Sequence, residues 1–176
     1  MSAHDIERTQ VSLTFSRDGS FVLDVANDPN WLPLRLERFT GPFPDRIVLW
    51  VDGREIRPTS VEYTRPFDSA LAPDQPRLAQ GRPLFDGSLA IYRMRGRMPI
   101  DARTLRWYYG LVIDPYPLTI RRADGRIIVE EIAGNAWSRT IDLSGQFHAP
   151  LVNEKIAVAL LAGLLIVPVA LRLRLR

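Results

Sequence analysis

Val11-Ser-Leu-Thr-Phe15 alternates apolar and polar side chains, Arg17-Asp-Gly19 turns the chain, and Phe21-Val-Leu-Asp-Val-Ala26 answers with a second extended run. Alternation with period two around a glycine-bearing turn is the signature of a β-hairpin with one face buried. The same grammar continues outward. Ile47-Val-Leu-Trp-Val51, Asp52-Gly53 and Ile56 to Tyr63 predict a second hairpin. Leu89 to Gly96, Leu105 to Ile113, Leu118 to Arg122, Arg126 to Ile132 and Trp137 to Leu143 predict five more strands, with Ala123-Asp-Gly125 joining two of them. Asp28-Pro29 before Trp31, Leu32, Leu34 and Leu36 predicts a short helix capped by Asp28, and Pro33 limits it to a turn or two. Strands at this spacing, with no long amphipathic helix before Lys155, predict a mainly β domain over residues 1–150, an antiparallel immunoglobulin-like β-sandwich. The proline-bearing stretch from Pro66 to Pro83 reads as a crossover between the two sheets.

The composition changes at Ile156. Sixteen residues without a charge run from Ile156 to Leu171 and include Leu160, Gly163, Leu164 and Pro168. As a helix they reach about 24 Å against a hydrocarbon core of about 30 Å. Lys155 and Arg172 extend that reach by laying their alkyl stems along the helix and lifting their charges to the interface. A soluble amphipathic helix needs a polar stripe, and this run has none. Residues 151–176 are therefore expected to form one transmembrane helix with a short basic tail. Arg174 and Arg176 anchor that tail, and the excess of arginine after the span places the C-terminus in the cytoplasm. The β-domain would then stand in the periplasm of a bacterial inner membrane. Met1-Ser-Ala-His4 lacks an apolar signal core, so export requires a leader that was removed or omitted from this chain, the alternative being a tail-anchored protein with its domain in the cytoplasm.

The 176-residue chain has a net charge of +3, but residues 1–150 sum to zero and the excess lies in the last stretch. That distribution argues against nucleic acid as a partner. With no cysteine and only His4 and His148, thiolate metal sites, cysteine nucleophiles and most histidine-based catalysis are excluded. A copper or nickel accessory role using His4, with His148 as a further nitrogen, is the alternative function, and it depends on processing at the N-terminus. Glu130 and Glu131 are adjacent on a strand and point to opposite faces, so they do not form a catalytic pair. Asp18, Asp52 and Asp124 read as turn residues. No enzyme and no cofactor is expected.

Two features suggest a docking surface. In Trp107-Tyr108-Tyr109 the outer pair share a strand face and Tyr108 takes the other, which leaves at least one large aromatic outside the core; Tyr92, Tyr116 and Trp137 could join it, while core packing competes for all of them. Arg93, Arg95 and Arg97 line one face of a strand, suited to an acidic partner or to lipid headgroups, unless neighbouring acids balance them. The expected function is a non-enzymatic accessory subunit that docks onto other integral membrane subunits of a respiratory or photosynthetic complex. The small residues of the span permit close helix approach in such an assembly.

A family likeness rests on the order His4, Val11 to Phe15, Asp18-Gly19, Phe21 to Val25, Asp28-Pro29, Gly96-Arg-Met-Pro99, Leu105-Arg-Trp-Tyr108 and Tyr116-Pro-Leu-Thr-Ile120. Over residues 4–145 this resembles the extracytoplasmic β-domain that precedes the membrane helices in some HupE/UreJ-like bacterial proteins. The resemblance implies a β architecture and export. Those proteins carry a multi-helix membrane part linked to nickel handling, whereas this chain offers one span and none of the histidine-containing helices that transport would need.

Overall fold

The computed structural model describes residues 8–65 and 89–148. His4, the stretch from Pro66 to Pro83 and the apolar run with its flanking Lys155, Arg172, Arg174 and Arg176 lie outside the described residues. Among the described residues no helix is long and apolar enough to cross a membrane.

The described residues are mainly β, with two sheets and almost no helix. Strands β1 (Thr9–Phe15) and β2 (Ser20–Asn27) form the first hairpin, paired from Thr9↔Asn27 to Phe15↔Phe21, and Gly19 turns it at φ 82°. A short helix α1 (Leu32–Leu36) and a 3₁₀ turn (Phe43–Arg46) lead to β3 (Ile47–Val51) and β4 (Arg54–Ile56). Asp52 at φ 46° and Gly53 at φ 83° supply the two left-handed residues that a two-residue hairpin turn demands. There follow β5 (Ser60–Thr64), β6 (Ala90–Arg97), β7 (Thr104–Tyr109), β8 (Tyr116–Arg121), β9 (Ile127–Ile132) and β10 (Ile141–Asp142). The larger sheet runs β5-β6-β2-β1-β8-β9 and the smaller β10-β7-β3-β4.

One core lies between the sheets. Leu13, Leu23, Met94 and Ile120 from the six-stranded sheet belong to the same cluster as Leu49, Val51, Leu105 and Trp107 from the four-stranded one. The apolar members of each alternating run form it, as the period of two requires. Two hydrogen bonds tie the sheets across this core. Trp107 Nε1 donates to Tyr116 Oη at 2.8 Å, and Tyr109 Oη donates to Asn27 Oδ1 at 2.9 Å. Burial raises the pKa of the Tyr116 phenol, against the smaller opposing effect of the Trp107 bond.

Four expectations need correction. The helix does not start at Asp28: Trp31 holds the N-cap position, Pro33 sits in the first turn, and Asp28 Oδ1 instead accepts the Asn30 backbone N–H at 2.9 Å in a turn. The predicted strand from Ile56 to Tyr63 is two strands in different sheets. Pro58 has no N–H to continue a ladder, and beyond it Thr59 N–H donates to the Arg95 carbonyl at 2.7 Å as the chain joins the six-stranded sheet. The expected strand from Trp137 to Leu143 is reduced to Ile141–Asp142 and a single bridge from Trp137 to Tyr108. The arrangement is also not wholly antiparallel, because β1 and β8 pair in parallel from Val11↔Leu118 to Thr14↔Arg121. These two strands are distant in sequence, so no tight turn dictates their relative direction.

Trp107→Phe removes the indole donor and leaves a buried phenol oxygen without it, so it is expected to destabilise the fold by about 2–3 kcal/mol. Trp50→Phe, at a surface position of the same sheet, is expected to shift stability by less than about 0.5 kcal/mol. Urea unfolding of the two variants followed by circular dichroism measures the contrast.

Candidate functional site

Strand β7 decides what the four-stranded sheet shows to solvent. Leu105, Trp107 and Tyr109 point inward and are fully buried, so Arg106 and Tyr108 must face outward. The register sets Trp50 of β3 opposite Arg106 and Val48 opposite Tyr108, while Glu55 of β4 lies beyond Trp50. Trp137 arrives from the other side through its bridge to Tyr108. Val48, Trp50, Glu55, Arg106 and Trp137 together line an open groove of about 400 Å³.

Local contacts hold Trp137 in place. Ser138 N–H donates to the Trp107 carbonyl at 2.9 Å, and the Ser138 hydroxyl accepts the Trp107 N–H at 2.9 Å, clasping the segment to β7. The turn before it approaches the β7–β8 connection so closely that a Cβ on Gly134 would lie 1.6 Å from the Ile113 carbonyl oxygen. Only glycine fits there. Asn135, next in sequence, adopts φ 56° and accepts a hydrogen bond from the Tyr108 hydroxyl.

The groove has two indole faces and one available cation. Trp50 is 40% and Trp137 41% exposed, high values for side chains of this size. The Arg106 guanidinium lies 4.9 Å from the Trp137 ring centroid, and the Tyr108 and Trp137 rings are 5.2 Å apart. Arg106 makes no ion pair among the described residues. Glu55 is engaged: it meets Arg57 Nε at 3.1 Å, and Arg57 also reaches Asp45 at 3.1 Å. Stacking surfaces and a guanidinium with free N–H edges suit binding.

Asp52 braces one end of this face. Its carboxylate accepts from the Arg103 N–H at 3.0 Å, the Thr104 N–H at 2.9 Å and the Thr104 hydroxyl at 2.8 Å, pinning the β3–β4 turn to the start of β7. The Arg103 N–H first, then the Thr104 hydroxyl, hold its pKa below the ordinary 3.8.

Of the residues marked in the sequence as docking candidates, Tyr108 and Trp137 lie on this face. Trp107, Tyr109 and Tyr116 are fully buried and offer no contact surface; their inward side of the alternation is the core. Tyr92 is half-buried, stacked on Phe43 with centroids 3.7 Å apart. The arginine row lies on the opposite sheet's outer face, and acids engage all three members. Arg93 makes a buried two-pronged contact with Asp24 (2.7 and 3.2 Å), Arg95 lies 3.8 Å from Glu62, and Arg97 lies 3.2 Å from Asp18. His148 is exposed, with its backbone N–H bound to the Arg17 carbonyl at 2.7 Å. Among the described residues no group of three or more His, Cys, Asp or Glu could hold a metal.

Sequence reading missed Val48, Trp50, Glu55 and Arg106. In Ile47-Val-Leu-Trp-Val51 every residue is apolar, so the alternation that turns Trp50 outward is invisible there. Arg106, a charge between Leu105 and Trp107, was the available signal. Comparison with family models, with curated proteins and with solved structures finds no match.

The Asp52 carboxylate stabilises the fold fully above pH 3.8, the unfolded value, and that contribution is lost as pH falls through the lower folded pKa. The stability gap between wild type and Asp52→Asn is therefore expected to be widest near neutrality and to close below that range, as measured by thermal unfolding across pH. Acrylamide quenching checks the groove itself: replacing Trp50 and Trp137 by Phe is expected to remove the most strongly quenched emission, leaving that of the partly buried Trp31 and the fully buried Trp107.

Proposed function

We propose that this chain is a non-enzymatic, membrane-attached accessory subunit that docks onto another integral membrane protein through the outer face of its four-stranded sheet. In this reading the two-sheet domain is immunoglobulin-like and periplasmic, the apolar run from Ile156 to Leu171 is its single span, and the arginine tail is cytoplasmic. The observation that carries the docking role is the exposed cluster of Trp50, Arg106 and Trp137, whose guanidinium lies on an indole and is not neutralised by a described acid. Tryptophan and arginine are the side chains that dominate protein interface energetics, and a shallow groove lined by both is a surface that gains by being covered. The uncharged run directly after the domain supports attachment to a membrane, and the HupE/UreJ-like resemblance supports the same order of β-domain and membrane segment.

The groove now replaces most of the contacts expected from sequence. Tyr108 remains at its margin, whereas Arg93, Arg95 and Arg97 have acids of their own and are less available to a partner. A respiratory or photosynthetic assembly suits a subunit of this design.

Solubilisation in mild detergent followed by size and mass analysis tests the reading. The wild-type chain is expected to travel with a second, different polypeptide, and Trp50→Ala combined with Trp137→Ala is expected to release it while circular dichroism stays unchanged. Recovery of the wild-type chain without any other polypeptide overturns the docking role. Recovery in the soluble fraction without detergent overturns the attachment.

A further inference from the structure

Arg106 stands directly opposite Trp50 in the β3–β7 pairing, and its guanidinium lies 4.9 Å from the Trp137 ring centroid. Indoles thus reach it from both neighbouring segments. An indole attracts the charge through its π-face and supplies no oxygen acceptor, so the guanidinium donors keep their capacity for one. The acids of the same face are already engaged. Glu55 meets Arg57 Nε at 3.1 Å, and Asp52 spends its carboxylate on the Arg103 N–H and on Thr104, with the Arg103 charge nearby. Arg139, exposed two residues beyond Trp137, adds a cation at the rim: its backbone N–H, not its guanidinium, engages Glu130, and it makes no ion pair among the described residues. The charge left uncompensated here is positive.

We propose, resting on the docking role given above, that the groove takes an extended acidic segment of the partner protein, one Glu or Asp carboxylate seated on Arg106 and an apolar side chain laid on an indole. The guanidinium fork matches the two oxygens of a carboxylate, and contact with Trp137 holds the fork in place before the partner arrives. Preorganisation of that kind lowers the entropy lost on binding. In an extended peptide, side chains two residues apart share a face about 7 Å from each other. The pattern recognised is therefore an acid with an apolar residue two positions away. A groove of about 400 Å³ has room for a few side chains of such a segment. The arginines of the other sheet's outer face offer no equivalent, because Asp24, Glu62 and Asp18 already meet them.

The test titrates the full chain, in a neutral detergent, with a capped serine peptide that carries glutamate at its centre and valine two residues to either side. Tryptophan emission is expected to change saturably. Glutamine in place of the glutamate, or serine in place of both valines, is expected to weaken binding by about tenfold. Arg106→Gln is expected to cost about the same with circular dichroism unchanged, and Arg106→Lys, which keeps the charge without the fork, to recover part of the loss. Arg17→Gln, in the β1–β2 turn, is expected to leave binding unaltered. No saturable change, equal binding of the glutamine peptide, or unchanged binding by a folded Arg106→Gln variant overturns the proposal. So does tighter binding of a thymidine dinucleotide, whose bases and single phosphate would use the same indoles and cation. In the detergent co-purification, release of the second polypeptide by Trp50→Ala with Trp137→Ala but not by Arg106→Gln keeps the docking role and overturns the acidic segment, whereas release by neither overturns both.

Discussion

The alternation along β7 is the constraint on which the domain rests. Trp107 and Tyr109 are large aromatics with polar tips, and each can be buried only if its tip finds a partner. Trp107 finds Tyr116 in β8 and Tyr109 finds Asn27 in β2, so one strand of the smaller sheet is bonded to two strands of the larger across the core. These contacts fix the separation of the sheets and satisfy groups that would otherwise oppose burial. They also commit the even-numbered residues. Once Trp107 and Tyr109 face inward, Arg106 and Tyr108 have nowhere to go but the outer face, where Trp50 and Trp137 meet them.

The two outer faces differ in how their charges are settled. On the six-stranded sheet, the arginines at 93, 95 and 97 find acids on neighbouring strands or turns, and Asp24 is 1% exposed beneath the Arg93 fork. Asp18 is held in its charged form first by the Ser20 hydroxyl, and Asp124 by Arg126, which brings its carboxyl to about 2. A face neutralised within itself offers little to a charged partner, since the exposed pairs already screen one another. The four-stranded sheet instead combines apolar area with one guanidinium that no described acid neutralises. Contact energy is most available there.

Positioning of that face depends on small, local devices at its edges. The reciprocal bonds between Ser138 and the Trp107 backbone, the close approach that only Gly134 allows, and the Asp52 carboxylate at the opposite end all hold exposed residues on a rigid frame. Rigid aromatic side chains lose little freedom on binding, which is how a shallow groove can still be selective. The division of labour is that of a scaffold whose interior chemistry is structural and whose surface carries the recognition.

Period-two patterning made the first hairpin, the turn at Asp52-Gly53 and the mainly β character legible without coordinates, because alternation and left-handed turn residues are local properties of the chain. The split at Pro58 had a local cause too, the missing N–H, but the change of sheet it accompanies depends on β6, distant in sequence. Which aromatics of Trp107-Tyr108-Tyr109 were core and which surface was undecidable, since both faces of the strand carry large side chains and only the facing sheet chooses between them. Trp50 was hidden in an all-apolar run, and its meeting with Arg106 and Trp137 joins three separated segments. The sequence by itself determined the first hairpin, the Asp52-Gly53 turn and the uncharged run from Ile156 to Leu171, each set by neighbouring residues. The tertiary structure alone decided the parallel pairing of β1 with β8, the neutralising of the arginine row and the groove, because each is a contact between residues that the chain brings together only by folding.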